Sequence, residues 1–133
     1  MIRHTIAIFG EAERGALSSL LFMRSIADLN EFLGNPPEDS LGIFFAIQFL
    51  LYNYEVIYIR VKEEGFSTKD YLKGMKLLQD KTKISALTAL CLPGVGDGRI
   101  IDSTLPVCEI HRSFIISTEK DLYDYLTSQY QIY

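Results

Sequence analysis

Short apolar runs alternate with amphipathic segments along the chain, and this alternation predicts strands separated by helices. Residues 4–10 form an apolar run ended by a glycine, as in a buried strand, and residues 20–23 form a second short run. Residues 54–62 are β-branched and aromatic, which predicts a strand with one buried and one more polar face. Uniformly apolar residues 86–92 predict a central strand covered on both faces, and residues 113–117 predict a last strand.

Three segments carry the signature of a capped helix start, in which a hydroxyl residue precedes an aspartate by three positions. The pairs are Ser25 with Asp28, Ser67 with Asp70, and Thr118 with Asp121. The first helix ends at Gly34, before two prolines. The apolar stripes of the other two are Leu72, Met75 and Leu78, and then Leu122, Tyr125 and Leu126.

Two further helices are predicted from less regular patterns. Residues 41–52 are apolar around most of a helical circumference, behind Asp39 or Ser40 as a cap, and predict a largely enclosed helix. This run is about a dozen residues long, whereas a membrane span needs roughly twenty, so no membrane segment is expected. Near the end of the chain, Pro106 favours a short helix beginning near Thr104, because proline is tolerated in a first helical turn.

Alternating strands and helices at this spacing imply crossover connections and a mainly parallel sheet. The predicted fold class is therefore α/β, with a sheet of four to five strands, helices packed on it, and residues 1–133 forming a single domain.

Composition narrows the classes of function. The 133 residues are 48% hydrophobic and carry a formal net charge of −4, without a cluster of Lys and Arg, so no nucleic-acid partner is expected. Cys91 and Cys108 lack the CxxC spacing of a metal or redox site and are expected to be reduced, buried thiols. The first residues do not form a secretion signal, so a cytoplasmic location is expected.

The stretch "LPGVGDGR", residues 92–99, offers one candidate ligand site. Gly94, Gly96 and Gly98 could let backbone amides approach a phosphate, with Arg99 beside them. The GxGxG spacing fits no standard phosphate loop, Asp97 would oppose an anion, and no helix start is evident directly afterwards. A glycine-permitted turn is the favoured interpretation, and nucleotide or anion binding is the alternative.

The remaining reactive side chains give no catalytic constellation. Glu11, Glu13 and Arg14 after the first strand form either an acid pair or, more simply, a solvated loop. His111 is one candidate base for a cysteine nucleophile, but Cys108 and His111 are three positions apart and fit simple helical neighbours. With His4 far away in sequence, there is no metal-ligand spacing, and we expect no metal, no cofactor and no enzymatic activity.

The string "IAIFGEAERGALSSLLFMRSIADLNEFLG" is similar to the opening of the sheath-subunit domain of contractile phage tails and related injection machines. The shared order is an apolar strand, G-x-A-x-R-G followed by small residues, an apolar run, S-x-x-D/E with a short helix, and a phenylalanine or leucine before glycine. The segments "LGIFFAIQFLLYNYEVIYIRV", "YLKGMKLLQDKTKISALTALCLPGV" and "SFIIST" resemble later parts of that domain, so the likeness covers about residues 5–128. Asn53 and Tyr54 replace a usual glycine pair, and Ser117 or Thr118 stands where an aspartate often ends the last strand.

The resemblance implies a reduced or divergent sheath-like module with a structural role and no catalytic residues. Sheath subunits polymerise around a tube, so the expected partners are further copies of the chain or other protein subunits of an assembly. The expected location is then the cytoplasm, or a virion or injection particle. A less specific alternative is an adaptor protein whose exposed tyrosines, such as Tyr123, Tyr130 and Tyr133, contact a protein partner.

Overall fold

A five-stranded sheet forms the middle layer of the structure, a computed structural model that describes residues 3–129. Its strands are β1 (Thr5–Gly10), β2 (Leu21–Met23), β3 (Glu55–Arg60), β4 (Ala89–Cys91) and β5 (Phe114–Ile116), in the order β2-β3-β1-β4-β5. β1 pairs in parallel with β3 and β4, and β4 pairs in parallel with β5, whereas β2 is antiparallel to β3. The predicted α/β class with a mainly parallel sheet is confirmed.

Five helices accompany the sheet: α1 (Ile26–Leu33), α2 (Leu41–Leu51), α3 (Thr68–Leu78), α4 (Gly98–His111) and α5 (Glu119–Gln129). Side chains alternate between the two faces of each strand. Ile8 and Tyr58 therefore belong to the core under α1 and α2, whereas Phe9 and Ile59 belong to the core under α3 and α4. The helix α5 contacts α4.

One prediction about the strands is wrong and another is confirmed. Neither face of β3 is more exposed to solvent between residues 56 and 59, because Val56 and Tyr58 are as fully buried as Ile57 and Ile59. Helices cover both sides of this strand, and the Tyr58 hydroxyl donates a 2.7 Å hydrogen bond to the carbonyl oxygen of Glu11. The run at 86–92 supplies β4, which is buried on both faces and lies inside the sheet between β1 and β5, as predicted.

The helix predicted to begin near Thr104 begins at Gly98 instead. The Asp97 side chain accepts a 2.8 Å hydrogen bond from the backbone amide of Arg99, which gives this helix a cap within the glycine stretch. Pro106 consequently lies inside α4, not in its first turn.

Capping is confirmed at two of the three predicted helix starts. The Asp28 amide donates to the Ser25 hydroxyl at 3.1 Å, and the Asp121 amide donates to the Thr118 hydroxyl at 3.1 Å. The Ser67 hydroxyl instead donates to the carbonyl oxygen of Glu63 at 2.8 Å, so it braces the turn before α3.

The apolar stripes of α3 and α5 are less buried than predicted. In α3, Leu72 is exposed, while Tyr71 and Gly74 join Met75 and Leu78 on the buried face. In α5, Leu122 and Leu126 are about half exposed. The sequence period locates an apolar stripe, but the neighbouring elements decide how much of it is covered.

The prediction that α2 is largely enclosed is also wrong. Its buried residues are Gly42, Ile43, Ala46 and Leu50, which lie on one face against the sheet. Leu41, Phe44 and Leu51 are exposed on the opposite face. Within residues 3–129, no helix is both long and apolar enough to cross a membrane.

Candidate functional site

The carboxyl ends of the parallel strands meet at one edge of the sheet, which is the usual ligand-binding edge of an open α/β sheet. Glu11 follows β1, residues 61–67 connect β3 to α3, and Gly94 follows β4. Two carboxylates at this edge, those of Glu64 and Asp121, bind backbone amides of other segments. Together with their partners they are the candidate site.

Glu64 places its carboxylate at the amino end of α2. One oxygen accepts a 2.9 Å hydrogen bond from the amide of Leu41, and the other accepts bonds of 3.1 Å from the amide of Gly42 and the hydroxyl of Ser40. That second oxygen also accepts a 3.1 Å bond from the amide of Glu11. A helix start presents unpaired amides and a partial positive charge, so this carboxylate occupies the position that a bound anion would take.

The backbones of β1 and α2 approach closely beside this carboxylate. A Cβ added to Gly10 would lie 2.8 Å from the Cα of Gly42, a distance that real Cβ atoms do not tolerate. Both positions therefore need glycine for packing. Because neither residue has a side chain, the Glu64 carboxylate and the Tyr58 hydroxyl both fit beside the amino end of α2.

Two buried tyrosines, Tyr58 and Tyr71, form hydrogen bonds to the backbone beside Glu64. The Tyr58 hydroxyl bonds the carbonyl oxygen of Glu11, and the Tyr71 hydroxyl accepts a 2.7 Å bond from the amide of Gly65. Burial raises the pKa of both phenols, and the negative charge of Glu64 raises each pKa further. Both groups are therefore neutral at physiological pH and serve as hydrogen-bonding groups.

The glycine stretch after β4 is occupied by carboxylates of the same chain. Gly94, at φ 81°, donates its amide to Asp121 at 2.8 Å, and this aspartate is buried. Asp97 accepts from the Arg99 amide and also pairs with the Arg99 side chain at 3.3 Å. The hydrogen bond from that side chain is the main reason why the pKa of Asp97 is lowered. Gly96 packs against α5, since an added Cβ would lie 2.9 Å from the Cβ of Asp124.

This arrangement bears on the anion-binding alternative in two opposite ways. Gly98 is the first residue of α4, so the loop does lead directly into a helix, contrary to expectation. However, the amides of Gly94 and Arg99 already bind carboxylates, and an incoming phosphate would have to displace them. The Arg99 side chain, the one cation predicted for the site, is paired with Asp97.

The charged side chains of the loop after β1 bind backbone groups of other segments. Glu11 accepts a 2.9 Å bond from the amide of Glu64, and Glu13 accepts a 3.3 Å bond from the amide of Asn35. Arg14 donates to the carbonyl oxygen of Asn30 at 2.8 Å, near the carboxyl end of α1. Glu13 also lies 3.9 Å from the Arg14 guanidinium, and Glu11 and Glu13 line one surface pocket, but each carboxylate binds a backbone amide of another segment.

The predicted cysteine and histidine candidates also have separate partners. The His111 Nε2 lies 2.6 Å from the carbonyl oxygen of Leu78, and the His4 Nδ1 lies 3.2 Å from the Thr88 hydroxyl. Burial raises the pKa of Cys91 to about 12 and also raises the pKa of Cys108, and both thiols are free. Among residues 3–129 no group of three or more His, Cys, Asp or Glu side chains is placed to hold a metal ion.

A surface cavity of about 480 Å³ opens beside β2, away from every predicted site residue. Its charged side chains are two lysines, and its apolar side chains come from β2, from the residue before β2 and from α3. The lining residues are Ser18, Ser19, Leu20, Phe22, Lys73, Leu77 and Lys83.

Sequence reasoning missed Glu64 and the second role of Asp121. The loop after β3, "VKEEGFS", directly follows a buried parallel strand, and this position at the carboxyl end of a strand is the signal in the sequence for Glu64. Of the tyrosines expected to meet a partner, Tyr123 is 65% exposed, whereas Tyr130 and Tyr133 lie outside the described residues. Comparison with known proteins finds no matching family model, no matching curated protein and no matching solved structure.

Proposed function

We propose that this protein is a non-enzymatic assembly module that acts by self-association. The observation that carries the proposal is the outer face of α2. Leu41 is 43% exposed, Phe44 51%, Leu51 69% and the following Tyr52 78%. A helix that is apolar on its solvent side is typical of a protein that is covered by another subunit.

The carboxylates at the ligand-binding edge of the sheet support a structural role. Glu11, Glu64 and Asp121 bind backbone amides of the same chain, and each joins segments that are distant in sequence. Groups held in this way stabilise the fold and are poorly available to act on a substrate.

The resemblance to sheath subunits gives this proposal a specific form. The chain would be a reduced or divergent sheath-like module that joins copies of itself, or other protein subunits, in a contractile tail or injection system. It would then act in the cytoplasm or within the assembled particle. This likeness rests on the order of strands, loops and helices in the sequence, which is independent of the exposed face of α2.

Light scattering after size-exclusion chromatography tests self-association, and negative-stain microscopy at high concentration tests higher assembly. We expect dimers at least, and rings or tubes if the sheath likeness extends to assembly. A protein that stays monomeric at every concentration and salt would contradict the proposal.

A second candidate function is nucleotide or anion binding at the loop from Gly94 to Arg99. The observation in its favour is that α4 begins at Gly98, which directs a helix start toward this loop. Millimolar nucleotide or phosphate should then raise the melting temperature by mass action. The absence of any shift with any of them would exclude this candidate.

A further inference from the structure

The outer face of α2 is more regular than a random apolar patch. Leu41, Phe44, Gln48 and Leu51 are all exposed and follow one another at spacings of three, four and three residues. This is the spacing of the contact positions in a pair of packed helices, with one polar residue among apolar ones. Within the described chain, α2 is also the helix without a charged residue, so its face offers nothing to an oppositely charged partner.

The charged groups near α2 lie beyond its two ends and are of opposite sign. Glu38 and Asp39 precede the helix and are exposed, and neither forms an ion pair within residues 3–129. Arg3 lies at the other end, where its Nε donates a 3.1 Å hydrogen bond to the carbonyl oxygen of Asn53. The nearby Arg24 is already paired with Glu55 at 3.2 Å, which leaves Arg3 as the cation at this end.

We propose that α2 packs antiparallel against α2 of a second copy of this chain, across a two-fold axis. The outer face is then self-complementary: Leu41 lies opposite the partner's Leu51, and Phe44 lies opposite the partner's Gln48. This inference rests on the proposed function and specifies the surface that carries it. A two-fold axis makes each contact occur twice, which doubles the effect of any single side chain.

The charges select the antiparallel direction. In that arrangement the acids before one α2 approach Arg3 at the far end of the partner's α2, and the two helix dipoles oppose each other. A parallel arrangement would bring Glu38 and Asp39 against their own copies, and likewise Arg3 against the partner's Arg3. With a net charge of −4 on each chain, the arrangement that separates like charges is favoured.

The area of the face agrees with an interface between two subunits. From their exposed fractions, Leu41, Phe44, Leu51 and Tyr52 offer roughly 450 Å² of side-chain surface, against the about 800 Å² per partner of a standard interface. The partly exposed Phe45, Ile47 and Phe49 flank this strip and extend it. The face formed by α2 and the following Tyr52 therefore supplies about half the area of a standard interface.

Sedimentation velocity over a range of concentrations tests the pairing with a matched pair of variants. Phe44→Glu introduces a charge on the outer face of α2, and Phe22→Glu makes the same change on β2 at the same exposure of 51%. We expect Phe44→Glu to raise the dimer dissociation constant at least about tenfold, since hot-spot aromatics dominate interfaces, and Phe22→Glu to leave it nearly unchanged. Circular dichroism of both variants checks that each remains folded.

A charge exchange at low salt tests the direction of the pairing. Glu38→Arg and Arg3→Glu should each weaken the dimer, and the chain that carries both changes should recover, because the partner's residue 3 then again bears the opposite charge. A double variant as weak as the single variants would overturn the antiparallel arrangement.

The outcomes separate this inference from the proposed function. If the native protein associates and Phe44→Glu associates equally well, the α2 pairing is overturned while the assembly role stands. If the native protein stays monomeric at every concentration, both are overturned.

Discussion

Replacing Glu64 by alanine should destabilise the protein markedly, because its carboxylate accepts hydrogen bonds from four donors in two other segments of the chain. Hydrogen bonds to a charged group contribute about 1.5–3 kcal/mol each, and a charge at a helix start contributes about 0.3–2 kcal/mol. In the variant, water can accept a hydrogen bond from the exposed amide of Leu41, but it reaches the buried amide of Gly42 less easily. We expect a loss of about 2–4 kcal/mol of unfolding free energy, equivalent to roughly 10 °C in melting temperature.

Urea unfolding followed by circular dichroism measures this loss, with Glu63→Ala as the matched control. Glu63 is the neighbouring acid, and its exposed carboxylate makes no hydrogen bond or ion pair with the described residues. The control should change the unfolding free energy by less than about 0.5 kcal/mol. If Glu64→Ala were as mild as its control, the carboxylate would not hold the start of α2, and our account of this edge of the sheet would fail.

Three further changes probe the other buried or capping groups. Asp121→Ala removes the acceptor for the Gly94 amide and should cost about 1–3 kcal/mol in urea unfolding, and a neutral result would mean that this bond is not needed. Asp97→Ala removes the cap of α4 and should cost about 0.5–2 kcal/mol at pH 7. The folded pKa of Asp97 is lowered, so its contribution to the free energy of unfolding is present above about pH 4 and is lost as the pH falls through the folded pKa. If Asp97→Ala lowered the free energy of unfolding equally at pH 2 and pH 7, Asp97 would not be the charged cap of α4. Because burial raises the pKa of Cys91 to about 12, the native protein should lose stability relative to Cys91→Ala as the pH rises above about 8.5, and parallel stability curves for the two proteins would refute this.

The elements that the sequence predicted well are those defined by neighbouring residues. The first helix has its cap at Ser25 and its stop at Gly34 within ten residues, and both act in the structure as predicted. The start of α4 differs from the prediction although its cap is equally local, because the glycines around Asp97 have low helix propensity and are typical of a turn. The sequence predicts the presence of α4, but the residues of its first two turns do not by themselves indicate a helix.

Burial was harder to predict than secondary structure. An apolar pattern shows that Tyr58 lies on one face of β3, but α1 and α2 cover that face only because the crossovers place them there. For α2, the composition indicated burial all round, whereas the chain supplies cover on one side. The difference between the two cases is topological, and topology depends on contacts between distant residues.

The candidate site depends most strongly on such contacts. Glu64 binds Ser40, which is 24 positions away, and Glu11, which is 53 positions away. Asp121 binds Gly94 across 27 positions. A local pattern carries no information about such pairs, and only the meeting of strand ends at one edge of the sheet could have placed Glu64 and Glu11 together.

The molar mass in solution is the most direct test of the central claim, that this chain works by associating with copies of itself. Light scattering should be measured across a hundredfold range of concentration, on the native protein and on Phe44→Glu. The account predicts that the native mass rises from one chain toward two or more, while the variant remains near the mass of one chain. A native mass equal to one chain throughout that range would contradict the account.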